Sequence, residues 1–253
     1  MGNAQKGRNW IVMEPDLIVV WPKDIFYPPF VARINKDRDF FAKVIVVMTA
    51  GQMDMDFTQE ITIRLKDCQV VVPDAKSPGK DWYDIAVNAG LLQVTAPYVL
   101  LIEQDFLVKE GFFENLLWEG ERTKFDVIGI RQNNRFIPSC LLVKKDMMDK
   151  TSHDFSCNPP EGDHCYKVSK ELEDQADWST LENLHIEGYY HMSGLTFNYR
   201  LKENWHLADE FATYNYWSEE LDQPQAWRDF CKTMPKKNLL NKIAIYFNEF
   251  INS

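Results

Sequence analysis

The sequence predicts an α/β domain built on a mainly parallel sheet. Its first hydrophobic runs are apolar throughout rather than alternating, as strands buried on both faces are. Helical stretches separate those runs, as crossovers between parallel strands require. A chain of 253 residues, 45% of them hydrophobic, suffices for one large core.

DLIVVW, residues 16–21, reads as the first strand and is closed by Pro22. FVARINKDRDFF, 30–41, carries apolar positions at helical spacing, and KVIVVMTA, 43–50, is the second strand. QVVVP, 69–73, is the third, followed by the loop DAKSPGK. Asp81 suits the N-cap of the helix WYDIAVNAGLLQV, which leads into a fourth strand in PYVLLIEQD, 97–105. FFENLLWEGER reads as a helix, and FDVIGIRQ and SCLLVKKDMM as two further strands. The tail PKKNLLNKIAIYFNEFINS sets its apolar residues on a broad helical stripe. That stripe is expected to pack against its own domain or a second copy, with a peripheral membrane surface or partner as the other reading.

Lys and Arg number 28 against 38 Asp and Glu, a formal charge of −10, which disfavours nonspecific affinity for nucleic acid or anionic lipid. MGNAQKGRNW lacks the apolar core of a signal peptide, and Lys6 stands where a myristoylation signal needs Ser or Thr. No run approaches the roughly 20 apolar residues of a membrane span. The expectation is a soluble, cytoplasmic protein. Five scattered cysteines in a chain of this length are expected as reduced thiols. His153, Cys157, His164 and Cys165 are zinc-binding residue types, but their spacing matches no common finger.

In open α/β sheets, ligands bind beyond the carboxyl ends of the strands. Asp74 and the SPGK loop follow the third strand, and Glu103 and Asp105 end the fourth. On an extended chain these two acids share a face, and like charges so placed repel unless a cation lies between them. A divalent metal is the economical answer; strand-end charges facing water are the plain one. Asp74 is equally a common turn former.

These segments resemble the nucleotide-sugar-binding half of a GT-A glycosyltransferase of the family-2 type. Pro22 stands at the end of the first strand, Ala86-Val87-Asn88-Ala89-Gly90 resembles the family's Ala-Arg-Asn-x-Gly segment, and Glu103-Gln104-Asp105 resembles its Asp-x-Asp. The likeness spans roughly residues 16–205, with Val87 in place of the usual Arg and Glu103 in place of the first Asp. It implies a mixed, mainly parallel sheet flanked by helices, with a C-terminal helical tail. Residues 1–220 would form the GT-A domain, with a nucleotide-sugar-binding half at 16–105 and an acceptor half at 106–220, and residues 221–253 a helical extension.

The resemblance implies a donor site lined by Pro22, Lys23, Asp74, Lys80, Asp84, Asn88 and Glu103, with Lys80 or Lys23 substituting for the missing Arg. It implies a metal held by Asp105, Glu103 and His191, the last in EGYYHMSGLTFNYRL at the family's closing strand; His206 competes with His191. Asp163 stands where such enzymes carry the acid that activates the acceptor, and Glu161, Asp177 and Glu187 compete with it. Departure of a diphosphate needs its charge neutralised, which Mg²⁺ or Mn²⁺ on hard oxygen ligands supplies; a His ligand favours Mn²⁺. The implied activity is inverting transfer of a sugar from a nucleotide sugar, UDP-sugar foremost, to a hydroxyl of a glycan, lipid or protein. The competing readings are a nucleotidyltransferase of similar layout and a noncatalytic module that binds nucleotide sugar or glycan. VVWPKDIFYPPF lacks the glycine-rich loop expected of a nucleotidyltransferase, whereas the change of Asp to Glu at 103 keeps the noncatalytic reading open.

Overall fold

The structure is a computed structural model that describes residues 13–21, 28–48, 55–73, 82–103, 106–132, 135–156 and 165–191. The strands are β1 (Asp16–Trp21), β2 (Lys43–Met48), β3 (Cys68–Val71), β4 (Tyr98–Glu103), β5 (Phe106–Val108), β6 (Val127–Gln132), β7 (Arg135–Lys144), β8 (Trp178–Thr180) and β9 (Tyr189–His191). The helices are α1 (Pro28–Lys36), α2 (Met55–Arg64), α3 (Trp82–Leu91), α4 (Phe112–Thr123), α5 (Lys145–Met148) and α6 (Tyr166–Gln175). Seven strands form one sheet in the order β3-β2-β1-β4-β7-β6-β8, and β5 and β9 form a separate pair. Within the large sheet β7 alone runs against its neighbours, β4 and β6. The sheet is therefore mixed and mainly parallel, as expected.

The apolar strands bury both faces because side chains alternate along them. Leu17, Val19, Val44, Val46, Leu100 and Ile102 face one core with α1, α2 and α4. Ile18, Val20, Ile45, Val47, Val99 and Leu101 face the other with α3 and α6. α3 places Tyr83, Ala86, Val87 and Gly90 inward, a spacing of three or four residues that makes one buried stripe. Gly90 is required there by proximity: a Cβ would lie 2.9 Å from Val47 Cγ1 and 3.2 Å from Ile18 Cγ2. Asp16 is fully buried and ties β1 to the turn before β4, its Oδ2 accepting from the backbone N–H of Thr95 at 2.6 Å and of Ala96 at 2.9 Å.

Several boundaries differ from the sequence expectation. The helix expected over 30–41 ends at Lys36; Asp37 leaves the helical region, a 3-10 turn spans Arg38–Phe40, and Phe41 is extended. The strand expected over 139–148 begins at Arg135 and ends at Lys144, where α5 starts. Lys144 pairs with Tyr98, the first residue of β4, and the Lys145 N–H donates to the Pro97 carbonyl, so the ladder has no further partner. The chain then turns helically and buries Met147 and Met148. α2 was not anticipated, although Phe57, Ile61 and Leu65 recur every four residues and the last two are buried. The helical tail, including 221–253, and most of the closing segment after His191 lie outside the described residues.

Candidate functional site

Glu103 is the last residue of β4, at the carboxyl edge of the parallel strands. It is the acidic member of a row in register: Val71 pairs with Val47, Val47 with Val20, and Val20 with Glu103. Two residues after Leu101, it projects to the α3 face of the sheet. The strand's apolar run thus ends where the core ends, and its carboxylate is half-buried. Its Oε2 accepts a hydrogen bond of 2.7 Å from the Ser139 hydroxyl on β7.

β5 and β9 form a separate pair packed in the other core, with α1 and α4. Phe106 is in register with His191, Leu107 with Tyr190 and Val108 with Tyr189. His191 is thereby placed opposite the residue that directly follows Asp105 in the chain. Phe106 anchors this pair in the core: it is fully buried, stacks on Tyr189 with ring centroids 5.5 Å apart, and meets Phe112 edge-on at 5.6 Å. Burial pushes the Tyr189 phenol above its ordinary pKa. Gly188, at φ +86°, turns the chain into β9, and its carbonyl accepts from the Lys109 N–H at 2.6 Å.

α3 joins the site to the segment before residue 157. Asp84 Oδ1 accepts from the Phe155 N–H at 2.7 Å and from Asn88 Nδ2 at 3.1 Å, and Asn88 Nδ2 also donates to the His153 carbonyl at 2.9 Å. Both residues, expected at the donor, have partners within the fold. Val87 is fully buried against the sheet, so the position where the family has Arg belongs to the core here. His153 Nε2 donates to the Met148 carbonyl at 2.9 Å.

Of the expected site residues, Glu103 ends β4 on the α3 face, Asp84 and Asn88 lie on α3, and the His191 backbone pairs with Phe106 on β5. Pro22, Lys23, Asp74, Lys80, Asp105, Asp163, Glu161 and His206 lie outside the described residues, as does the Asp81 cap. Among the described residues no three His, Cys, Asp or Glu side chains gather closely enough to hold a metal ion. Of the donor set expected for the metal, two carboxylates and an imidazole, which suits a hard divalent cation, Glu103 is the member whose side chain is described. Ser139 was missed from the sequence. Its signal was Pro138 within an apolar run, which marks an interruption of a strand.

The mixed, mainly parallel seven-stranded sheet flanked by helices has the GT-A-like α/β fold. The solved structures similar to it include S. aureus TarS 1-349, with a TM-score of 0.50 and 15% identity, covering 87% of this chain and 69% of that one. TarS 1-349 in complex with UDP-GlcNAc gives a TM-score of 0.47 at 15% identity, over 87% of this chain and 70% of that one. The bifunctional IspDF from Campylobacter jejuni gives 0.43 at 10% identity, over 72% and 53%. No family model matches the sequence, and no curated protein matches it either. Among the described residues no helix is long and apolar enough to cross a membrane.

Proposed function

We propose that this chain is a metal-dependent glycosyltransferase that moves a sugar from a nucleoside diphosphate sugar, a UDP-sugar foremost, to an acceptor hydroxyl with inversion. The observation that supports this reading is the pairing of β9 with β5, in which the His191 backbone lies in register with Phe106, three residues after the acid that ends β4. Asp105, Glu103 and His191 would hold Mn²⁺ or Mg²⁺, whose chemistry when bound is to neutralise the charge of the leaving diphosphate. Pro22 and Lys23, which follow β1 in the chain, and Asp74 and Lys80, which follow β3, would contact the donor together with Asp84, Asn88 and Glu103. Asp163 takes the proton of the acceptor hydroxyl.

The test is thermal unfolding with nucleotides, with and without Mn²⁺. A ligand that binds only the native state at 100 times its Kd stabilises by about 2.7 kcal/mol, which in a chain of this size raises Tm by roughly 5–10 °C. UDP with Mn²⁺ is expected to give that shift, and Asp105→Ala to abolish the part that depends on metal. A shift with triphosphates alone would instead support a nucleotidyltransferase. No shift with any nucleotide would support a noncatalytic module, and an intact Mn²⁺ response in Asp105→Ala would refute the site.

A further inference from the structure

The strand beside Glu103 is irregular at one place. On the β6 side, β7 is in register at Gly129 with Leu141 and then at Arg131 with Phe136, so two steps along β6 correspond to five along β7. An ordinary bulge inserts a single residue. The extra length lies in Ile137, Pro138, Ser139 and Cys140. Pro138 has no N–H to lose from a ladder, so it is tolerated in this central strand because the pairing with β6 is already broken there. β6 meets the displaced strand with a glycine: a Cβ on Gly129 would lie 3.0 Å from the Cys140 carbonyl oxygen and 3.0 Å from side-chain atoms of Leu141 and Phe136.

On the β4 side the ladder stays regular up to Ile102 paired with Cys140. The pairing ends there; continued by one position it would bring Glu103 opposite Ser139, and residues directly opposite on antiparallel strands project to the same face. Ser139 is only 2% exposed, and its hydroxyl donates to Glu103 Oε2 at 2.7 Å. A glutamate at a strand end has side-chain freedom worth on the order of 1.5–2 kcal/mol. A short hydrogen bond to its carboxylate, stronger than a neutral one, removes much of that freedom. The irregular stretch of β7 on its β6 side thus includes Ser139, the residue whose hydroxyl meets Glu103, and bulges are common beside sites.

We infer that Ser139 is a positioning residue for Glu103: its buried hydroxyl, donating to the carboxylate across the β4–β7 ladder, fixes the direction from which Glu103 would meet the metal and nucleotide. This rests on the reading of the site under Proposed function. Residues that orient metal ligands in this way typically contribute 10–100-fold to metal affinity.

The experiment titrates Mn²⁺ into protein saturated with UDP, following free Mn²⁺ by electron paramagnetic resonance, and records urea unfolding of each protein without ligand. The proteins are wild type, Ser139→Ala, Ser139→Thr, Glu103→Ala and the double variant Ser139→Ala/Glu103→Ala. Ser139→Ala is expected to weaken Mn²⁺ binding about 10-fold or more. Ser139→Thr keeps the hydroxyl and is expected to restore binding, and Ser139→Ala is expected to add nothing once Glu103 is Ala. Wild-type Mn²⁺ affinity in Ser139→Ala, whatever its unfolding curve, overturns the positioning role while leaving the function standing. So does an equal loss on adding Ser139→Ala to the Glu103→Ala protein. A wild-type protein that binds no UDP with Mn²⁺ overturns the functional reading, and the positioning role falls with it.

Discussion

Gly90→Ala sets two known effects against each other. In an exposed helix interior the change would stabilise by about 1 kcal/mol, because glycine leaves more backbone freedom to lose on folding. At position 90 the added Cβ would stand 2.9 Å from Val47 Cγ1 and 3.2 and 3.4 Å from two carbons of Ile18. Val47 and Ile18 are fully buried and β-branched, so neither swings aside cheaply. Overpacking of this kind costs typically 1–3 kcal/mol. The clash wins, and the net loss is about 1 kcal/mol, or roughly 2–4 °C in Tm for a chain of this size. Urea unfolding followed by circular dichroism measures it. A Gly90→Ala/Val47→Ala double variant should recover part of the clash, a coupling of at least about 0.5 kcal/mol. A higher Tm in Gly90→Ala alone would refute the seating of α3 on β1 and β2.

Two further outcomes are expected. Asp84→Ala removes the acceptor of the Phe155 N–H and should destabilise the ligand-free protein by about 1–3 kcal/mol in urea unfolding; unchanged stability with a large loss of UDP affinity would return Asp84 to the donor site. The Lys144 ammonium, donating at 2.6 Å, holds the Asp126 carboxyl below its usual pKa, and Asp126 correspondingly raises Lys144. A depressed acid stabilises above its unfolded value of about 3.9 and loses that contribution as pH falls through its folded value; the raised lysine keeps its share until pH climbs past about 10.4. Lys144→Met should therefore cost up to about 1 kcal/mol at pH 7, and the difference from wild type should shrink below about pH 4. A difference in urea midpoint that persists in acid would contradict the pairing.

Much of the fold was legible because burial on two faces leaves a plain mark. VIVV, DLIVV and VLLI have no polar face, so their place in a covered parallel sheet follows from composition alone. The end of α1 at Lys36 and of β7 at Lys144 was not legible, since each depends on a partner running out rather than on a local breaker. At the site, Glu103 was visible as an acid closing an apolar run. Ser139 was not, because a serine in a strand acquires meaning from what lies across the ladder. Asp84 and Asn88 fitted a donor-binding helix in sequence, yet the fold gives them the backbone of His153 and Phe155.

By itself the sequence determined the class of domain, the succession of its first four strands along the chain, and the acid that closes the fourth. These depend on local period and on where hydrophobic runs stop. Tertiary structure decided which strand lies beside β4, that β7 runs against it and loses register with β6, and that β9 returns to pair with β5. Those outcomes depend on contacts between residues far apart in the chain, and no local pattern encodes them: Ser139 meets Glu103 across 36 residues, and His191 reaches Phe106 only because the two strands share a register.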